Sequence, residues 1–212
     1  MIIYKINTYT IGLKLIKFKK DKFVIVKKAL PLDLAQFIFH YIMLKREVAK
    51  HLKSKNKLNE DEGLFGTWKD QQVPNTYSHY ADIVMETLLV DMIPTMEKHT
   101  GMKLFPNYSY TRIYKYGDIL AKHTDRKSCE ISTTLNLGGE KWPIFLRDKK
   151  KTHKVNLNPG DMLIYKGCIL EHWREPFEGM HCAQVFLHYN NARKKNAIKF
   201  DNRKHVGLPY EG

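Results

Sequence analysis

Three residues in the second half of the chain have the types and spacing of a metal site. His123 and Asp125 are separated by a single threonine. In an extended segment, residues i and i+2 project to the same face, so this imidazole and this carboxylate can reach one point. About fifty residues later, a turn with the sequence NPGD leads into an apolar run and then to His172. Two histidines and one carboxylate leave three positions of an octahedral iron(II) open, so the pattern predicts a non-haem iron site.

Each of these ligands has an alternative interpretation. A His-x-Asp pair also occurs by chance on surface strands. His181 and His188 compete with His172 for the role of second histidine, but they lie further into the last apolar run. The ligand is expected at a strand end, which favours His172.

The segments that must position these residues are predicted to be short β-strands. From Lys103 onward, apolar-rich runs alternate with turns that contain Gly, Pro, Asn and charged residues. The runs are YSYTRIYKY, EISTTLNLG, WPIFLRD, HKVNLN, DMLIYKG and AQVFLHYN. Their number and spacing predict an antiparallel sandwich or small barrel with helices packed on its outside.

The N-terminal half is predicted to support this barrel. Within the first 28 residues, KLIKFKK and FVIVKK alternate at period two, which favours strands. Pro31 opens a helix in the segment 30–53, whose apolar residues recur at three and four: Leu34, Phe37, Ile38, Tyr41, Ile42 and Val48. A second helix is predicted from about Ser78 to His99, ended by Gly101.

Residues 54–76 separate the two predicted helices and are rich in polar residues. They predict either a surface loop or a lid over an active site, because long ordered loops are often functional.

Composition narrows the class of protein. The chain has 212 residues, of which 43% are hydrophobic, enough for one domain with a real core. No apolar stretch approaches the roughly 20 residues of a transmembrane helix, and lysines interrupt the N-terminal apolar residues. We therefore expect a soluble, cytoplasmic protein without a membrane partner. Three scattered cysteines, Cys129, Cys168 and Cys182, predict buried reduced thiols rather than disulfides.

The net charge of +14 favours an acidic partner, but it does not by itself indicate a nucleic-acid-binding protein. Lysine supplies 29 of the 36 basic residues and is spread along the whole chain. Base readout and bidentate phosphate binding favour arginine instead. Nucleic acid therefore stays a secondary candidate partner.

The chain resembles the iron(II)- and 2-oxoglutarate-dependent oxygenases, and within them the prolyl 4-hydroxylase-like branch. The resemblance covers residues 108–190, in the strings RIYKYGDILAKHTDR, ISTTLNLGG, WPIFL, NPGDMLIYKG, EHWREPFEG and AQVFLHYN. It implies an α+β, mainly β fold with a double-stranded β-helix (jelly-roll, cupin-like) core. It also implies that His123, Asp125 and His172 bind Fe(2+), with 2-oxoglutarate and O2 at the open positions and ascorbate as a further candidate cofactor.

The same resemblance implies a cosubstrate pocket, from which this chain departs at one position. Tyr114 and Thr134 match polar positions that line the pocket. The family usually has an Arg or Lys nine to ten residues after the second histidine, where this chain has His181 and the residue after it, a cysteine. We expect the distal carboxylate of 2-oxoglutarate to bind either His181 with Gln184 or Arg147 from another strand. Loss of 2-oxoglutarate dependence is the alternative.

These expectations combine into one functional prediction. The chain is predicted to be a single domain, with a support (1–102), a double-stranded β-helix core (103–190) and a basic tail (191–212) that either wraps the surface or is partly mobile. We expect it to hydroxylate a protein or peptide side chain, prolyl being the first guess, with conversion of 2-oxoglutarate to succinate. Arg126 and Trp68 are expected to contact that substrate; pairing with Glu130 or simple solvation is the alternative for Arg126. The alternative functions are oxygenation of a nucleobase or small metabolite, and metal or nucleic-acid binding without turnover.

Overall fold

The structure is a computed structural model that describes residues 18–59, 63–149 and 151–209. The strands in these ranges are β1 (Phe23–Val26), β2 (Tyr77–Tyr80), β3 (Leu104–Tyr114), β4 (Leu120–His123), β5 (Ile131–Gly139), β6 (Ile144–Asp148), β7 (Lys151–Val155), β8 (Met162–Tyr165), β9 (Glu171–Arg174) and β10 (Cys182–Asn191). The helices are α1 (Leu32–Ser54), α2 (Ile83–Asp91) and α3 (Ile93–Thr100). None of the helices described is long and apolar enough to cross a membrane.

Two antiparallel sheets form the core, as the resemblance implied. The major sheet has the strand order β1-β8-β5-β10-β3-β2, and the minor sheet has the order β4-β9-β6-β7. Apolar side chains from both sheets pack between them, including Ile144 and Leu146 of the minor sheet and Leu163 of the major sheet. The fold is therefore mainly β, a double-stranded β-helix whose two layers enclose an interior.

Helix α1 packs against the major sheet through a narrower face than the periodicity predicted. Its buried residues are Ala35, Ile38, Ile42 and Ala49. Of the predicted apolar face, Leu34, Phe37 and Val48 are instead exposed. The helix approaches β5 closely, since a Cβ at Gly138 would lie 2.9 Å from the ring of Phe39.

The predicted second helix is wrong at its start and in its middle. Ser78–Tyr80 belong to β2, which pairs with β3, so tertiary pairing overrides the helical pattern there. Asp82 accepts hydrogen bonds from the backbone of Val84 (3.0 Å) and Met85 (3.2 Å) and so begins α2. Pro94 cannot donate a backbone hydrogen bond, and the helix is divided at Met92. The predicted end at Gly101 is confirmed, with φ at 72°.

The remaining strand and cysteine predictions are mostly confirmed. FVIV forms β1, but residues 18–21 are helical, and residues 14–17 lie outside the described part of the chain. β7 starts earlier than the predicted run, at Lys151. All three cysteines are free; Cys168, in the loop after β8, is only partly buried.

Candidate active site

Two histidines from neighbouring strands and one aspartate face one another where β4 ends. His123 is the last residue of β4, and its register partner on β9 is His172. Oδ1 of Asp125 lies 3.6 Å from Nε2 of His123 and 3.4 Å from Nε2 of His172. One ligand atom from each residue lies within 4.8 Å of the others. The structure therefore brings the three predicted metal ligands together.

Both imidazoles are oriented by backbone carbonyls. Nδ1 of His123 lies 2.8 Å from the carbonyl oxygen of Ala121, and Nδ1 of His172 lies 2.9 Å from that of Leu170. A carbonyl oxygen only accepts, so each Nδ1 carries the proton and each Nε2 keeps its lone pair. Burial and the neighbouring His172 lower the pKa of His123, which also favours the neutral ring.

The third ligand is held as a carboxylate. Burial alone would raise the pKa of Asp125, but interactions with His172, the nearby His188 and the hydroxyl of Ser132 lower it to about 2. Oγ of Ser132 donates to Oδ2 at 2.7 Å, leaving Oδ1 directed at the histidines. Two neutral imidazole nitrogens and one carboxylate oxygen fit iron(II) in the chemistry of their donor atoms.

The two competing histidines occupy other positions. His188 also lines the cavity at the triad, with its Nδ1 3.0 Å from Oγ of Ser132, and its burial lowers its pKa to about 4. Its geometry therefore makes it a support of the carboxylate. His181 precedes β10, and its backbone carbonyl accepts from the amide of Glu140 at 2.8 Å.

A cavity of about 560 Å³ opens onto the triad. Its inner wall is apolar, formed by Leu120, Ile144, Tyr165 and Phe186, whereas its rim carries Arg126 and other polar residues. The apolar side chains beside the triad reduce its contact with water, and the polar residues of the lining can give a substrate its contacts.

Part of the predicted lid segment borders this cavity. Residues 69–72 line one side of it. The buried carboxylate of Asp70 accepts from Nε (2.5 Å) and Nη2 (3.1 Å) of Arg112 on β3, and from the hydroxyl of Tyr110 (2.9 Å). Burial would raise the pKa of Asp70, but Arg112 lowers it. This ion pair fixes the loop beside the triad; closure over a substrate stays a prediction.

Deeper in the barrel lies a cluster of polar side chains around Arg174. Arg174 is two residues after His172 on β9 and is 1% exposed. Its Nη2 donates to Oγ1 of Thr134 at 3.3 Å, and Oγ1 of Thr134 donates to Oε1 of Gln184 at 3.0 Å. The buried phenol of Tyr114 lies near both Arg112 and Arg174, whose charges counteract the rise in its pKa caused by burial. Three of the predicted cosubstrate residues, Tyr114, Thr134 and Gln184, are thus gathered here.

The other predicted site residues lie elsewhere. Arg147 pairs with Glu171 and is half-exposed on the minor sheet. Trp68 packs edge-on against Tyr77, 5.1 Å between ring centroids, and does not line the cavity. Arg126 lies at the rim, where it pairs with Asp201 at 2.5 Å; the predicted partner Glu130 pairs with Lys194.

Sequence reasoning missed two residues of the site, Ser132 and Asp70, and it noted Arg174 as a basic residue near the predicted ligands without giving it a role. The alternation of the segment EHWR could have indicated Arg174, because residues two apart on a strand share a face. The contacts of Ser132 and Asp70 depend on tertiary packing, and no local pattern predicts them.

Two facing antiparallel sheets with a His-Asp-His triad between them define a double-stranded β-helix with a candidate non-haem metal site. The sequence matches no protein-family model and no curated protein. Many solved structures resemble it, including the following three. A prolyl-4-hydroxylase from Pseudomonas putida is 11% identical, with a TM-score of 0.60 over 87% of this chain and 100% of that one. A 2OG-Fe(II) oxygenase family oxidoreductase from Burkholderia pseudomallei is 10% identical, with a TM-score of 0.63 over 97% of this chain and 95% of that one. The non-heme alpha-ketoglutarate-dependent epimerase SnoN from nogalamycin biosynthesis is 11% identical, with a TM-score of 0.65 over 97% of both chains. The chain therefore has the fold of the 2OG-Fe(II) oxygenases, prolyl hydroxylases included.

Proposed function

We propose that this protein is an iron(II)- and 2-oxoglutarate-dependent oxygenase. The observation that carries the proposal is the triad of His123, Asp125 and His172, with both Nε2 lone pairs and one carboxylate oxygen directed at one point. The fold supports it, since the similar solved structures include enzymes that are named as users of 2-oxoglutarate.

The chain's own residues would hold the metal and keep its surroundings dry. Activation of O2, coupled to decarboxylation of 2-oxoglutarate to succinate and CO2, is the chemistry that the bound metal supplies. Ser132 keeps Asp125 oriented, and the backbone carbonyls of Ala121 and Leu170 keep both imidazoles in the binding tautomer. The apolar wall of the cavity limits access of water.

The proposed substrate is a protein or peptide side chain, with prolyl as the first to test. The similarity to a prolyl-4-hydroxylase supports this choice. A nucleobase or small metabolite is the second candidate, supported by the net charge of +14 and by Lys69 at the cavity rim. A cytoplasmic location and a requirement for ascorbate stay predictions.

Metal binding and turnover test the proposal together. We expect the purified protein to bind one iron(II) under anaerobic conditions and to release succinate from 2-oxoglutarate when a substrate is added. His123→Ala should abolish iron binding and succinate release. His51 is exposed on α1, so His51→Ala should leave iron binding and succinate release unchanged. Screening proline peptides, oligonucleotides and amino acids for stimulated succinate release identifies the substrate class. Stoichiometric iron binding retained in His123→Ala would overturn the proposed site.

A further inference from the structure

Resting on the proposed function, we propose that Arg174 of β9 binds the terminal carboxylate of 2-oxoglutarate, from a strand other than the one that usually supplies this residue. The start of β10, where the resemblance implies a basic residue, has Cys182 and then Gln184 on the next inward position. Neither carries a positive charge. The carboxylate therefore needs another cation inside the barrel.

Arg174 is a buried cation without a paired carboxylate among the described residues. It is 1% exposed, and among the described residues no carboxylate forms an ion pair with it. Its Nη1 donates to the carbonyl oxygen of Trp142 at 2.5 Å and its Nη2 to Thr134, while its Nε is buried without a hydrogen-bond partner. A guanidinium buried without a counter-ion is destabilising, so a bound carboxylate would offset the cost of its burial.

The other inward arginine already has a carboxylate. Arg112 forms two hydrogen bonds with Asp70 and a third, at 2.6 Å, with Oε1 of Gln72. Its charge is therefore neutralised by the loop beside the cavity. Arg147, on the outer part of the minor sheet, pairs with Glu171. Of the arginines near the triad, Arg174 is thus the one whose charge the described residues leave uncompensated.

The position of Arg174 suits a ligand that also reaches the metal. His172 and Arg174 are two residues apart on one strand, so their side chains share the inner face at a spacing of about 7 Å. A five-carbon 2-oxo diacid has its two ends separated by a distance of this order. Leu120, the register partner of Arg174 on β4, lines the cavity, whereas Arg174 is buried one layer beyond the lining residues, so a ligand that bridges the metal and Arg174 would have to extend past Leu120.

The neighbours of Arg174 complete a site for one carboxylate. Thr134 supplies a hydroxyl, Gln184 an amide, and Tyr114 a phenol that lies near Arg174 and 3.4 Å from Nη1 of Arg112. The Arg174 guanidinium also lies 4.9 Å from the ring centroid of Trp142, which fixes its plane. These donors would select a ligand with a second carboxylate over a 2-oxo acid that lacks one.

Calorimetric titration of the Mn(II)-loaded full chain tests this inference without turnover. The probes are 2-oxoglutarate and 2-oxobutyrate, which share the chelating 2-oxo acid group but differ in the distal carboxylate. We expect the wild type to bind 2-oxoglutarate about 10- to 100-fold more tightly, the range of one charge-assisted hydrogen-bond pair. Arg174→Gln should lose this preference and leave 2-oxobutyrate binding unchanged, and Arg174→Lys should restore part of it. Arg147→Gln is the matched control and should behave as the wild type.

The outcomes separate this inference from the proposed function. If the wild type binds Mn(II) but neither 2-oxo acid, the proposed function fails and the inference fails with it. If the wild type prefers 2-oxoglutarate and Arg174→Gln keeps that preference, only the role of Arg174 is overturned. The wild-type comparison needs no variant, so equal affinity for the two probes also overturns the inference, even where Arg174→Gln does not fold.

Discussion

Each histidine of the triad has its protonation set by one backbone carbonyl two residues earlier. His123 bonds to Ala121 and His172 to Leu170, so the same local device recurs on two paired strands. Asp125 differs, because its orientation depends on Ser132 and on the loop after β8. The carboxylate is thus the ligand whose position is most sensitive to substitutions elsewhere in the chain.

Gly167→Ala tests this dependence at the scale of one residue. The backbone amide of Asp125 donates to the carbonyl of Gly167 at 3.0 Å, and a Cβ at position 167 would collide with Oδ2 of Asp125. It would also lie 2.6 Å from the carbonyl oxygen of Cys129 and 2.6 Å from Oγ of Ser132. The carbonyl oxygen of Cys129 belongs to the backbone and cannot easily give way. The side chain of Asp125 is more mobile, so its carboxylate has to move.

We expect Gly167→Ala to weaken metal binding about 10- to 100-fold, as for loss of an outer contact to a ligand. Anaerobic titration with iron(II) measures it. Gly117→Ala is the control, since its added methyl group meets nothing within 4 Å while its φ of +83° still carries a cost in stability. Equal metal affinity in the two variants would contradict the argument.

At the scale of elements, Asp82 joins α1 to the start of α2. Its side chain caps α2 and accepts from the hydroxyl of Tyr41 at 2.7 Å and from Nζ of Lys45 at 2.5 Å. Burial would raise the pKa of Asp82, but its bonds to His79, Lys45 and Tyr41 hold it well below the ordinary value. One carboxylate therefore fixes the position of two helices behind the major sheet.

Asp82→Asn should destabilise the protein in a pH-dependent way. Because the pKa of Asp82 is lower in the folded chain than in the unfolded one, the charge stabilises the fold above about pH 4 and this contribution is lost as the pH falls below that value. We expect the free energy of unfolding to fall by about 3 kcal/mol at pH 7, the range for breaking a buried ion pair. The difference from the wild type should shrink at pH 3.

Urea unfolding at pH 7, 5 and 3 measures this difference. Asp33→Asn, an exposed carboxylate in the first turn of α1, is the control and should have little effect at any of these values. A difference between Asp82→Asn and the wild type that is as large at pH 3 as at pH 7 would contradict the assignment.

Local sequence patterns predicted some of these elements and contacts but not others. Runs such as EISTTLNLG and AQVFLHYN predicted β5 and β10, because alternation and turn residues act within a few positions. His123 and His172 are 49 positions apart, and their meeting on paired strands was implied by the resemblance to a family rather than by a local pattern. The pattern misassigned Ser78–Tyr80, whose strand exists only because β3 lies beside it. Asp70 and Arg112 are 42 positions apart, and no local rule predicts that they pair.

At the scale of the whole molecule, lysine and arginine have separate roles. Arg112, Arg174 and Arg203, three of the seven arginines, are buried. Each has contacts inside the fold, whereas most lysines are exposed. The charge of +14 is therefore mainly a lysine surface, and three of the seven guanidinium groups that would read bases or bind phosphates are buried instead.

One of these buried arginines docks the C-terminal residues onto the barrel. Nη2 of Arg203 donates to Oε2 of Glu86 at 2.9 Å and to the carbonyl oxygen of Asn107 at 2.7 Å. Next to it, three successive residues that are not glycine, 200–202, have φ between 55° and 66°, a conformation that costs energy at each position. In that turn, Asp201 accepts from Arg126, the neighbour of the candidate metal ligand Asp125. These contacts join part of the predicted tail to the barrel.

Arg203→Met should release this strained turn. Both side chains of the Arg203–Glu86 pair are at most 2% exposed, so removing one partner leaves a buried charge and costs about 3–5 kcal/mol. We expect Arg203→Met to have a lower Tm and to be cleaved rapidly by trypsin after Lys199 or Lys204 under native conditions. Mass spectrometry identifies the cleavage sites. Arg193 is exposed, so Arg193→Met should leave both the Tm and the cleavage unchanged.

If Arg203→Met lowers the Tm but the tail stays resistant to trypsin, the ion pair stabilises the barrel without holding the tail. Resistance with an unchanged Tm would show that neither role belongs to Arg203.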